Sequence, residues 1–285
     1  MKRIIFIFLV LVGLYLLWSS NLTSWLSFGK GGAEASLSKT INMIEVDVSG
    51  IRTAIIPENR TNIKADLDGK GKVTVKTSGD KIIVEYKRSF LNGFQFFKNK
   101  SQLNIYIPED YHRSMAIDIG SGHLTFAGHS KKQPMKLEKL TLDLSSGKAD
   151  LKNLKTAEFK QDGSSGMLTI DHLITKTGTV EMSSGYVKIK HYEGKLDAEV
   201  TSGKLDIQMD ELTDRLDVRV SSGHVKLDLP KNADFSLKGK VNSGMINCNL
   251  PLSGKIQTKH GIEGVHGSGK HMLDLSVSSG IIDLH

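Results

Sequence analysis

The residues best suited to chemistry are few and scattered. His260, Glu263, His266 and His271 crowd among Gly261, Gly264, Gly267 and Gly269, and imidazoles with a carboxylate can converge on a divalent metal. Their spacing matches no zinc-ligand pattern, and so glycine-rich a run reads equally as a plain insertion. Asp197, Asp206, Asp217 and Asp228 fall at outward strand positions, where paired carboxylates could cleave a glycan. Each has Lys or Arg neighbours, which favours ordinary cross-strand pairing. There is no Gly-x-Ser-x-Gly elbow, no phosphate-cradling glycine loop followed by Lys-Ser or Lys-Thr, and no Gly-Gly-x-Gly-x-Asp calcium repeat. Cys248, the only cysteine, lies at an inward position between Ile246 and Leu250 and reads as a small buried apolar residue. No catalytic residue, cofactor or metal site is assigned, and a non-enzymatic protein is expected.

The serines instead mark a repeat. Small tripeptides end at Gly122, Gly147, Gly166, Gly185, Gly203, Gly223, Gly244 and Gly280, with steps of 25, 19, 19, 18, 20, 21 and 36 residues. Two and four residues after each glycine the side chain is apolar, as in Val187 and Ile189 or Val225 and Leu227, and the same alternation runs backwards before it, as in Leu216, Val218 and Val220. Each unit therefore holds two half-buried strands. The inward residues flanking a glycine are five apart, so the chain must turn there, and glycine is expected to supply a positive φ. Gly163 occupies an expected apolar position, which predicts a bulge or shifted register near Gly166.

Two strands and two turns per roughly nineteen residues predict an all-β fold, a β-solenoid of stacked parallel coils. Eight coils at roughly 4.8 Å each make a rod on the order of 40 Å long. An antiparallel β-sandwich or barrel, with every Ser-Ser-Gly a hairpin turn, is the alternative. Residues 41–118 alternate like strands without the regular repeat and read as an N-terminal β region that caps residues 119–285. Pro57, Pro108 and Pro230 close strands, because proline has no N–H for a ladder.

Lys2 and Arg3 precede fifteen apolar residues, including Ile4, Phe6, Leu9, Leu11, Leu14, Leu17 and Trp18. This pattern predicts a single N-terminal transmembrane helix within residues 1–28, N-terminus cytoplasmic and the bulk of the chain extracytoplasmic. An uncleaved anchor is favoured over a signal peptide cut at Ala33-Glu34-Ala35, which lies unusually far downstream. Residues 29–40 read as a linker. The net charge of +7 is spread over outward strand positions and could favour an anionic cell-wall polymer or lipid headgroups. Phe90, Phe94, Phe96 and Phe97, flanked by Arg88, Lys98 and Lys100, form the candidate interaction loop, or else plug the end of the core.

The Ser-Ser-Gly-x-apolar-x-apolar repeats, the Leu-Pro and Ile-Pro stops and the N-terminal apolar segment resemble a large bacterial family of β-strand-repeat proteins labelled "putative adhesins". Within it, the size and anchor look most like a membrane-anchored member of a cell-envelope-stress operon. The resemblance implies an extracytoplasmic β-repeat domain in the envelope-stress response and carries no catalytic motif. A binding or scaffold component is therefore expected. A polysaccharide-active β-helix enzyme and an accessory partner of neighbouring membrane proteins are the alternatives; no nucleic-acid partner is expected, and end-to-end self-association is open.

Overall fold

Period-two alternation of apolar and charged residues builds an all-β chain. The computed structural model describes residues 31–88 and 101–285. Its N-terminal strands are β1 (Gly31–Ser36), β2 (Met43–Val48), β3 (Ile51–Glu58), β4 (Asn62–Asp68), β5 (Lys72–Ser78), β6 (Lys81–Lys87) and β7 (Gln102–Pro108). The central strands are β8 (Ser114–Ile119), β9 (Gly122–Ala127), β10 (Met135–Leu144), β11 (Lys148–Gly163), β12 (Met167–Met182), β13 (Tyr186–Val200) and β14 (Lys204–Met209). Then follow β15 (Leu216–Val220), β16 (His224–Asp228), β17 (Phe235–Val241), β18 (Met245–Cys248), β19 (Ser253–Thr258), β20 (Gly261–His266), β21 (His271–Val277) and β22 (Ile281–Leu284).

Strands that lead into a Ser-Gly turn form one wall and strands that leave it form the other. The first wall runs β5, β6, β2, β8, β10, the second halves of β11, β12 and β13, then β15, β21, β17, β20 and β19. The second wall runs β1, β4, β7, β3, β9, the first halves of β11, β12 and β13, then β14, β16, β22 and β18. From β6 to β17 and from β7 to β18 every neighbour is parallel, and in register on the Ser-Gly side of each coil, the pairing a solenoid requires and a hairpin sandwich does not. Only the ends are antiparallel. The walls enclose a continuous core in which Val187, Leu205, Val225 and Ile282 from the second wall, like Leu196, Leu216 and Leu273 from the first, are fully buried.

Chain order and spatial order differ at both ends. The β2–β3 coil lies between the β6–β7 and β8–β9 coils, and the β21–β22 coil between β15–β16 and β17–β18. The 36-residue step before Gly280 thus holds the β19–β20 hairpin and a return into the stack. Residues 41–118 are likewise more than a cap: β2–β3 turns at Ser49-Gly50 and, with β6–β7, extends the parallel run beyond the eight expected coils. Residues 31–36, read as linker, form β1, whose Ala33 and Ala35 pair with Ala65 and Ile63; backbone pairing outweighs the weak strand preference of Gly and Ala.

The turns are stacked hydrogen-bond ladders. The second serine N–H donates to the first serine carbonyl one coil away, as from Ser165 to Ser145 (2.9 Å), Ser184 to Ser164 (2.8 Å) and Ser222 to Thr201 (2.7 Å). The residue after each glycine donates to the neighbouring glycine carbonyl: Tyr186 to Gly166 (3.0 Å), Lys204 to Gly185 (2.9 Å), Ile281 to Gly223 (3.0 Å) and Met245 to Gly280 (3.0 Å). Positive φ is not what these positions share, since among the repeat glycines only Gly122 has it, with Gly50 in the added turn. A Cβ on Gly166, Gly185, Gly203, Gly223, Gly280 or Gly244 would instead collide with the carbonyl oxygen of the glycine one coil away.

The register is also unbroken at Gly163, which pairs with Leu144 and Met182. Met182 and the buried side chain of Gln161 fill the space its missing side chain leaves. The irregularities fall elsewhere, between Ile174 and Thr177 and between Lys190 and Tyr192, at the second corner. Strands β3, β7 and β16 end within two residues of Pro57, Pro108 and Pro230, as the missing proline N–H requires. No helix among the described residues is long and apolar enough to cross a membrane; Ile4 to Trp18 lie outside those residues.

Gly203→Ala should destabilise the chain by about 1–3 kcal/mol, the usual cost of inserting an atom into a packed site. Ser202→Ala, on the exposed neighbour, should stay within about 0.5 kcal/mol. Urea unfolding of both variants checks the contrast.

Candidate functional site

In-register stacking places equivalent outward residues in straight rows on either side of the Ser-Gly edge. On the first wall, Glu85, Asp47, Asp118, Asp143, Asp162, Glu181 and Glu199 are successive neighbours. At about 4.8 Å per strand this acidic row runs roughly 29 Å. Lys87 pairs with Glu85 at 2.9 Å and Arg219 with Glu199 at 3.4 Å, at its two ends. Among the described residues no salt bridge joins Asp47, Asp118, Asp143, Asp162 or Glu181. Burial first, and then the charges of Asp47 and Asp143, push the Asp118 carboxyl above its usual range.

On the second wall the residue after each repeat glycine makes a contrasting row that Arg52 begins: Arg52, His123, Lys148, Met167, Tyr186, Lys204, His224, Ile281 and Met245. Met167 and Ile281 are each 42% exposed and Met245 53%, large apolar side chains left facing water. His123, Lys148, Tyr186, Lys204 and His224 are tied to a second tier of carboxylates. Asp150 meets His123 Nε2 at 2.6 Å and Lys148 Nζ at 2.9 Å. The Tyr186 hydroxyl donates to Asp206 at 2.6 Å, with Lys204 Nζ 5.3 Å from its ring centroid. Asp283 accepts from Asn247 and contacts His224 Nε2, each at 2.7 Å.

These contacts define the chemistry. Burial, then the hydrogen bond to Asp206, pushes the Tyr186 phenol up to about 12, so it is a donor rather than a base. Partial burial works against ionisation of Asp150, but Lys148 and His123 outweigh it and hold the carboxyl below its usual range. A shallow groove of about 950 Å³ follows the Ser-Gly edge, floored by the glycines and bordered by the second-wall row from Lys148 to Ile281. A nucleophile beside a base is not part of it. The arrangement offers a flat, rigid track with charge of one sign on one side and cationic, aromatic and apolar groups on the other.

The earlier candidates are dispersed. Asp197 and Asp217 lie on the first wall, paired with Arg219 (2.5 Å) and Arg215 (2.7 Å), whereas Asp206 and Asp228 lie on the second. His266 contacts the Pro251 carbonyl at 2.7 Å and stacks on Phe235, while Glu263 sits opposite Lys238. His260, Glu263, His266 and His271 do not gather into a ligand set, since the one such group of three among the described residues lies elsewhere, at Asp171, His172 and His191. Cys248 is half-buried on the last strand of its wall, where burial pushes its thiol up. Phe90, Phe94, Phe96 and Phe97 lie outside the described residues.

A family model described as Toastrack DUF4097 matches residues 41–285. The chain belongs to that family. Solved structures are similar to the chain at low identity. A "putative adhesin" from Bacteroides fragilis is 14% identical over 91% of this chain and 98% of its own, with a TM-score of 0.51. A "putative adhesin" from Parabacteroides merdae is 12% identical over the same shares, with a TM-score of 0.49. A "putative lipid binding protein" from Parabacteroides distasonis is also 12% identical over those shares, with a TM-score of 0.45. No curated protein matches the chain. In this Toastrack chain the acidic row had a legible signal that went unread: an acid stands four residues before the glycine in five consecutive copies, Asp118, Asp143, Asp162, Glu181 and Glu199.

Because the folded state raises the Asp118 pKa, it binds that proton more tightly than the unfolded chain. The row therefore costs stability at neutral pH, and the cost is relieved as pH falls through the raised value towards the unfolded one. Opposed like charges cost about 0.2–1 kcal/mol, so Asp118→Asn should raise the melting temperature by about 1–3 °C. The gain should shrink in molar salt and vanish near pH 3, as differential scanning calorimetry would register.

Proposed function

We propose that the protein is a non-enzymatic binding component of the bacterial envelope, using the Ser-Gly edge as its contact surface. The observation that carries this reading is the pair of in-register rows, acidic on one side and cationic, aromatic and apolar on the other. Such a surface suits an extended partner with basic groups facing Asp118 to Glu199 and anionic or apolar groups facing Lys148 to Met245. An anionic cell-wall polymer by itself would have to lie along the second wall, because the acidic row repels it. The adhesin and lipid-binding descriptions of the structural neighbours accord with a binding role.

In this reading the apolar segment from Ile4 to Trp18 tethers the chain to the cell membrane, with residues 29 onward outside. The resemblance of its repeats and N-terminus to LiaG, the membrane-anchored product of the Lia operon, points to the cell-envelope-stress response. A polysaccharide-active enzyme has less behind it, since Asp197 and Asp206 are engaged in cross-strand contacts and Asp217 pairs with Arg215 two residues away.

Sedimentation of the purified full-length chain with isolated cell walls, and separately with anionic liposomes, at low and high salt tests the proposal. Binding that weakens at high salt, is lost in a Lys148→Gln/Lys204→Gln variant and is retained in an Asp143→Asn/Asp162→Asn/Glu181→Gln variant is expected. Binding to neither material, or release of soluble glycan from the walls, would contradict it.

A further inference from the structure

The corner opposite the Ser-Gly edge carries a second, unrelated feature. There β11, β12 and β13 bend without a break, and Asn153, His172 and His191 occupy the bend in three successive coils with φ of 53°, 63° and 55°. Left-handed backbone is uncommon outside glycine, and Asn and His are among the residues that adopt it most readily. The two rings stack, with centroids 4.1 Å apart and planes at 24°.

Asp171 completes the group. Its Oδ1 lies 2.7 Å from His172 Nδ1 and 3.9 Å from His191 Nε2. The shorter contact lacks hydrogen-bond geometry, leaving His172 Nδ1 buried without a hydrogen bond. Such a nitrogen needs a partner. Meanwhile His191 Nδ1 is held by both oxygens of Asp210 at 2.8 Å, which orients the ring and leaves Nε2 facing Asp171 and His172. A carboxylate bound to the far nitrogen of an imidazole is the usual outer support of a metal-ligating histidine. Lys152 Nζ takes the other Asp171 oxygen at 3.5 Å.

We propose that Asp171 Oδ1, His172 Nδ1 and His191 Nε2 bind one divalent cation of the zinc class, with Asp210 as the positioning residue behind His191. The three ligand atoms lie within 4.8 Å of one another. Bonds of about 2.0–2.1 Å in a tetrahedral site set ligand atoms about 3.3 Å apart, so closure needs only side-chain adjustment. Two imidazoles and one carboxylate suit zinc rather than calcium, which takes six to eight oxygens. A cavity of about 270 Å³ lies over the group, bordered by Lys131, Asn153 and Glu211, and leaves room for water at the fourth position. The site stands apart from the rows along the Ser-Gly edge.

Isothermal titration of the full-length chain with zinc chloride, paired with thermal melts, tests this. One equivalent should bind and raise the melting temperature. His172→Asn and His191→Asn keep a residue that the same bend already accepts at Asn153; each should abolish the zinc-dependent rise without changing the zinc-free melt. Asp210→Asn should weaken binding about ten- to a hundredfold. If either histidine variant fails to fold, Asp171→Asn, outside the left-handed position, supplies the same test. No zinc heat and no melting shift in the native chain, or zinc binding retained in the His172→Asn/His191→Asn double variant, would overturn the proposal.

Discussion

Everything along the Ser-Gly edge depends on one close approach: each repeat glycine from Gly147 onward sits against the carbonyl of the glycine in the neighbouring coil, and Gly122 against that of Ile51. The carbonyl of Gly185 accepts from Lys204 N–H, and a methyl on Gly203 would occupy the same space. The turn therefore closes at ladder spacing only if the residue facing that carbonyl lacks a Cβ. Once one turn is fixed, a one-residue slip would move Val200 or Val220 out of the core. Glycine contact and apolar alternation thus specify the same register twice, and straight rows of side chains follow from it. The acidic row is a consequence with a cost, since its carboxylates sit side by side, and the core must outweigh their repulsion.

The ends obey a second constraint. A sheet that stopped at its last parallel coil would present unpaired ladder groups to any similar chain. The first and last coils in sequence are instead held between others, so β2 and β3, like β21 and β22, have a neighbour on both sides. Antiparallel strands complete the first wall at both ends and the second wall at one. The final edge strand β19 carries Lys255 and is exposed throughout, features that discourage further pairing.

The turns, the two-strand unit and the core were legible because they rest on local signals: glycine after serine, and apolar residues at every second position. Less legible was anything set by what lies one coil away. The need for glycine at Gly203 comes from Gly185, eighteen residues earlier, and not from its own φ. Gly280 falls between Gly223 and Gly244 because an edge had to be covered, which no local pattern records. Asp171, His172 and His191 meet across two coils at a corner that the variable connections obscure. The Ser49-Gly50 turn was not legible because Ile51 stands where the other turns have their final glycine.

Cysteine cross-linking reads the order of the stack directly, in a Cys248→Ser background. Ser222 and Ser279 are in register on adjacent coils, whereas Ser222 and Ser243 are two coils apart. Adjacent parallel strands place Cα atoms about 4.8 Å apart, within the range a disulfide spans, while two steps exceed its limit of about 7 Å. Under mild oxidation Ser222→Cys/Ser279→Cys should form an intramolecular disulfide and Ser222→Cys/Ser243→Cys should not. A bond in the second pair and none in the first would contradict the glycine-on-glycine order on which the rows depend.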